Sequence, residues 1–171
     1  TNQKTGEHIV LDCEIENKNA SEQTNNTNFV NINAEWNIFQ NWLNAVKDKN
    51  LDTINSLSYF HLTQSKLDAG MADPAYNLGV GFIKTDFVNV EKNSKQEVLS
   101  SNEKEGTINL IYLVKDTSNN FIILGLQNRG SGTYTLNKED SDNDGWWNDI
   151  ESQAQTNPND ANDYPFKTSV T

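Results

Sequence analysis

The sequence predicts an α+β fold: N-terminal helices packed on an antiparallel sheet, followed by a small acidic loop-helix module. Three observations predict it. A helical apolar period runs through residues 34–57. Two aliphatic-rich runs between residues 107 and 127 are separated by a turn-forming stretch. After Thr135 the composition changes abruptly, as Asp and Asn displace the aliphatic residues.

Residues 1–28 read as a flexible lead-in, because Glu16 to Asn28 holds almost no apolar side chain; the short run around residues 8–14 leaves room for one edge strand. Residues 29–136 are the α+β domain. From Ala34 to Lys49 the spacing of Trp36, Phe39, Leu43 and Val46 puts them on one helical face, with Asn33 suited to cap it. A second, short helix carries Leu51, Ile54 and Leu57 and starts near Asn50 or Asp52. Trp36 and Trp42 are expected in the core between helix and sheet. Leu62 to Leu78 is interrupted by Gly70 and Asp73-Pro74 and reads as a loop or short broken helix.

Strands are expected next. Val80 to Ile83 and Phe87 to Val90 make one strand or a bent pair. Thr107 to Lys115 and Phe121 to Gln127 make an antiparallel hairpin across Asp116–Asn120. Thr133 to Leu136 offers a further strand after the flexible Gly130-Ser131-Gly132. A boundary is expected near residues 136–139, and residues 137–171 form the C-terminal module. There Trp147 to Gln155 reads as a helix that Pro158 ends.

The 171 residues suffice for one sizeable core plus an appendage. With 24 acidic and 13 basic residues the net charge is -11. That argues against nucleic acid or an anionic membrane as partner, since both reward Lys and Arg. It fits a soluble protein or one that gathers divalent cations. No run approaches the roughly 18 apolar residues a membrane span requires. The chain starts at Thr1 with no charged-then-apolar leader, as expected of a processed or trimmed form from which a targeting signal has been removed. Cys13 is the only cysteine, which rules out an internal disulfide; it is read as a packing residue. The over-use of Asn suggests an AT-rich bacterial genome.

The motif that carries chemistry is Asp140 to Glu151, DSDNDGWWNDIE. Calcium is a hard cation that takes six to eight oxygens at roughly 2.3–2.6 Å. A twelve-residue loop supplies them from alternate side chains, here Asp140, Asp142 and Asp144. A glycine turns the chain at the sixth position (Gly145), and the seventh, Trp146, gives its backbone carbonyl. Asn148 ligates directly or through water, and Glu151 closes the set with both oxygens. A solvated acidic linker rarely combines that alternation with the glycine and the terminal glutamate. Unneutralised, the carboxylates repel, so the ion is expected to order the segment. Magnesium suits the loop less, because it demands a tighter octahedron and keeps its waters.

The flanks do not suit a paired sensor, because the entering segment is strand-like and no second complete loop exists. The loop is EF-hand-like, and the tail through Thr156-Asn157-Pro158-Asn159-Asp160 resembles the thrombospondin type 3 repeats of bacterial secreted and surface proteins. The resemblance covers residues 140–165 only. It implies a structural Ca2+ site, an extracellular or cell-surface location, and Asp160 and Asp163 as secondary ligand candidates. The chain departs from the repeat at Asn148, where an aspartate is usual, and it carries a single repeat, so no rigid stalk is expected. The helices-then-strands order, opened by FQNWLNAVKDKNLDTINSL, resembles the cone-shaped fold of nuclear-transport-factor-like proteins. That layout implies room for a small-molecule site between helices and sheet.

Other signals are weaker. Gly79-Val80-Gly81 lacks the third glycine and helix of a dinucleotide site. His61, beside Tyr59 and Phe60, is read as a buried or half-buried structural histidine. No catalytic or organic-cofactor residues are assigned. The leading expectation is a non-enzymatic calcium-binding protein of the cell exterior, whose α+β domain binds or assembles with a protein partner at the cell surface. One alternative is a small-molecule-binding or isomerase-like enzyme; the other is a fibre subunit whose residues 1–16 add a strand to a neighbour.

Overall fold

The computed structural model describes residues 30–69, 80–130 and 135–167. The first helix, α1 (Asn33–Lys47), buries Phe39, Trp42, Ala45 and Val46. Asn33 is its first helical residue rather than its cap: Ile32 holds the cap position, and the Asn31 side chain accepts from Asn33 N at 3.2 Å. The helix stops before Lys49, which turns left-handed at φ 53°. Helix α2 (Leu51–Ser56) follows at once, capped by Asn50, whose side chain accepts from Thr53 N at 3.1 Å. A third short helix, α3 (Gln64–Ala69), lies within the stretch expected to be broken.

Four strands form one antiparallel sheet in the order β1 (Phe87–Lys92), β2 (Gln96–Ser101), β3 (Thr107–Lys115), β4 (Phe121–Gly130). The chain is therefore α+β, with a simple meander. The β3–β4 hairpin is the one expected, its register running from Thr107↔Gly130 to Lys115↔Phe121. Leu57–Tyr59 also meets β4, through Tyr59 N to Ile123 O at 2.9 Å and Ile123 N to Leu57 O at 2.8 Å.

Four details depart from expectation. Val80 to Ile83 is not a strand: Gly81 turns, Val80 and Ile83 stand 56% and 51% exposed, and a 3-10 turn over Lys84–Asp86 delivers the chain into β1. Only Phe82 of that stretch joins the core, against Phe39 and Phe87. Strand β2 was not expected, because QEVLSS has two aliphatic residues among four polar ones. Thr135 and Leu136 are not in a strand; β4 itself runs on to Gly130, while Thr133 and Tyr134 lie outside the described residues. The last helix, α4, spans Asn148–Ala154, and Gln155 ends it in the left-handed conformation at φ 63°, ahead of Pro158. The expected lead-in, its strand and Cys13 lie outside the described residues.

Alternation along the strands sends side chains to two cores. Leu99, Ile111, Leu113 and Ile123 meet the helices, with Phe39, Trp42, Val46 and Ile54. The Trp42 indole donates to Ser58 Oγ at 3.0 Å, and Ser58 donates on to Ile54 O at 2.7 Å, so the buried polar groups there are satisfied. Trp36 is half-buried, with its ring 4.9 Å from Phe39 and 5.7 Å from Phe87. On the other face, Val98, Leu110, Tyr112, Val114, Ile122 and Leu124 meet Trp146, Trp147, Ile150 and Ala154 of the C-terminal segment. The sheet is thus a middle layer, and the acidic loop sits against its second face. His61 is exposed rather than buried, because the chain is in an open loop between α2 and α3. Among the described residues no helix is long and apolar enough to cross a membrane.

Candidate metal centre

The loop is closed at its base by backbone pairing: Asn148 N donates to Glu139 O at 2.7 Å, and Asp149 N to Asn137 O at 3.3 Å. Asp149 also accepts from Asn137 N at 2.8 Å. Trp146, Trp147 and Ile150 then anchor the far side in the apolar core. Packing and base pairing together force residues 140–145 into a tight coil, with Asn143 at φ 62° and Gly145 at φ 94°.

Within the coil the aspartates first serve the backbone. Asp140 accepts from Asp144 N at 3.1 Å and from Gly145 N at 2.9 Å. Asp142 accepts from Asp144 N at 3.2 Å, and Asp144 from Trp146 N at 2.9 Å. Asp140, Asp142 and Asp144 each bring a carboxylate oxygen within 4.8 Å of the others, a group that can hold a metal ion.

The remaining oxygens are the telling ones. Asp142 Oδ2, Asp144 Oδ2 and both oxygens of Glu151 are buried and have no hydrogen-bond partner among the described residues. Glu151 is 0% exposed. Burial, then the charges of Asp144, Asp142, Asp140 and Asp163, push its carboxyl up to about 7. Burial also raises Asp144, reinforced by Asp142 and Asp140 and opposed by the Trp146 N–H and Lys95. Unpaired carboxylates in such surroundings are costly unless a proton or a cation joins them.

Of the six residues expected to hold the ion, only the three aspartates converge within 4.8 Å; Glu151 lies outside that group and is linked to all three by charge. Trp146 sits in the loop with its ring in the core, leaving only its backbone for ligation. Asn148 is committed elsewhere: its Oδ1 accepts from Ser141 N at 3.1 Å, and its Nδ2 donates to Ser141 Oγ at 2.8 Å, so it staples the loop. Asp163 accepts from Asn157 N at 3.1 Å and Asp160 from Asn162 N at 3.0 Å, so both shape the tail's own turns.

Sequence reasoning missed the support from the β1–β2 turn. Lys95 donates to Asp144 O and lies 5.3 Å from the centre of the Trp146 ring. Asn93 and Gln96 donate to Gly145 O at 3.3 and 3.1 Å, and Gln96 Oε1 accepts from Trp147 N at 3.0 Å. Nothing local in the sequence joins these residues to a loop some fifty positions away. Compared with protein-family models, curated proteins and solved structures, the chain matches none.

Proposed function

We propose that residues Asp140–Glu151 hold one calcium ion, and that the ion fastens the C-terminal segment to the sheet of a protein that works outside the cell or on its surface. One observation carries the reading: Glu151 is fully buried, with both oxygens unpartnered and three aspartates within its field. Oxygen-only donors and a dense negative charge suit a hard dication. Asp142 and Asp144 supply oxygens not used by the loop backbone, Glu151 supplies two more, and the Trp146 carbonyl completes the loop's share.

A structural role follows from the setting. The loop lies on a packed sheet rather than between two mobile helices, so occupancy stabilises by mass action and moves little. Outside the cell calcium is plentiful enough to keep such a site filled, which is the basis for the proposed location. The α+β domain is then a non-enzymatic element for binding or assembly with a protein partner. Thermal melting tests the calcium reading. Calcium is expected to raise the midpoint by several degrees over a chelated sample, a stabilisation of about 4 kcal/mol at a thousandfold excess over Kd; equal midpoints contradict it.

A second reading, a pocket enzyme, is favoured by one residue. Glu97 is 3% exposed, and burial followed by Glu35 raises its carboxyl despite Lys92 and Lys115. Two positions from Leu99 on β2, it belongs to the helix-facing side of the sheet. The filled core around Phe39 and Trp42 weighs against that reading. A fragment screen followed on the Glu97 side-chain resonance separates the two, since a binding-only domain leaves it unmoved.

A further inference from the structure

We infer that Gln96, a strand residue far from the loop in sequence, is a positioning residue of the metal site and sets its calcium affinity; the inference rests on the calcium reading above. Gln96 opens β2 and is 0% exposed, on the face that carries Val98, Leu110, Tyr112 and Val114. A buried primary amide on such a face is costly unless both of its ends are paired. Both partners come from the loop: Nε2 donates to Gly145 O at 3.1 Å, and Oε1 accepts from Trp147 N at 3.0 Å.

These two bonds bracket Trp146. The peptide between Trp146 and Trp147 is planar and trans, so its C=O and N–H point in opposite directions. When Gln96 holds the Trp147 N–H, it turns the Trp146 carbonyl away from β2. That carbonyl is the backbone ligand of the calcium reading, so the side chain of a sheet residue fixes the aim of a ligand it never touches. Lys95 and Asn93 hold the neighbouring carbonyls of Asp144 and Gly145 from the same turn. The β1–β2 turn is a wall of the site, and the twelve-residue loop is incomplete without it.

The coupling runs both ways. Four carboxylates that repel one another strain the loop when no cation is held, and release of the loop strands the Gln96 amide. Metal uptake therefore strengthens docking on Gln96, and docking on Gln96 strengthens metal uptake. Supports of this kind change metal affinity by about 10–100-fold when removed.

The test compares the whole chain with Gln96→Met, which keeps the length and loses the amide, and Gln96→Glu, which keeps the acceptor for Trp147 N–H and loses the donor to Gly145 O. Calcium itself is the probe, read by calorimetric titration, with melting in excess chelator as the structural control. The expected result is a Kd weakened about tenfold or more for Gln96→Met, a smaller loss for Gln96→Glu, and chelated midpoints close to the parent's. Equal affinities in parent and variants overturn the role of Gln96 alone. So does an equal fall of the chelated and calcium-loaded midpoints, which marks a purely structural residue. A parent chain that takes up no calcium overturns the metal reading and this inference together. Should Gln96→Met fail to fold, hydrogen exchange at the Trp147 amide of the parent decides: protection gained with calcium supports the coupling, and protection equal with and without it overturns it.

Discussion

Glu151 is held by what surrounds it rather than by what it bonds. The unfolded chain gives up this proton near the ordinary 4.5, whereas the metal-free folded chain keeps it up to about 7. That difference corresponds to about 3 kcal/mol. Its sign is unfavourable: the metal-free fold has its full stability below 4.5 and loses it as pH rises towards 7, where the buried carboxylate must ionise. A cation reverses the balance, so protons and calcium compete. Calcium affinity measured by chelator competition is expected to rise steeply from pH 5.5 to 7 and level off above. A flat profile across that range is the contrary result. Glu151→Gln removes the charge at constant shape. It is expected to stabilise the chelated protein at pH 8 by about 1–3 kcal/mol and to weaken calcium binding by more than about a hundredfold. Titration of the variant in both conditions reads both effects. Gly145 is needed for its φ of 94°, and an added Cβ would stand 2.8 Å from Lys95 Nζ. Denaturant unfolding of Gly145→Ala is expected to show a loss of about 1–2 kcal/mol, the lysine tip giving way more easily than the backbone.

The elements were unequally legible in the sequence. The first helix and the β3–β4 hairpin declared themselves through period and turn chemistry, because their local preferences agree with the fold. Strand β2 was invisible. Its polar residues are buried by neighbours distant in sequence: Ser101 Oγ accepts from Asn109 N at 2.9 Å, and Gln96 meets the loop. Burial thus follows from tertiary pairing that no window of QEVLSS contains. Strand β3 carries a sharper cue, since LIYLV is apolar without alternation. Such a run marks a strand covered on both faces, and both faces are covered here. The acidic loop was readable because its aspartates alternate along the chain ahead of a glycine, whereas its supports on the β1–β2 turn follow no local spacing. The second core makes its own prediction. Ile150 is 0% exposed beneath the sheet, and Ile150→Ala is expected to cost about 2–5 kcal/mol. Because Ile150 packs with β2–β4, chemical denaturation of the calcium-loaded chain followed by tryptophan fluorescence and far-UV dichroism is expected to stay coincident. Two separated transitions would show that the tail unfolds on its own.

At the scale of the whole molecule, one sheet carries helices on one face and an acidic loop-helix segment on the other. Four of the 24 acidic side chains, Asp140, Asp142, Asp144 and Glu151, lie at the junction of that segment with the sheet, where a cation would relieve their mutual repulsion. Calcium is therefore expected to act as a rivet between layers. Its removal is expected to loosen residues 135–167 first, so that a short protease digest in chelator cuts there while the calcium-loaded chain resists. The most direct measurement is a crystal grown with calcium, examined by anomalous scattering. The account predicts one peak bounded by Asp142, Asp144 and Glu151, with oxygens at roughly 2.3–2.6 Å and the Trp146 carbonyl among them. Absence of a peak there, with the Glu151 oxygens bonded instead to water or to protein donors, would contradict it.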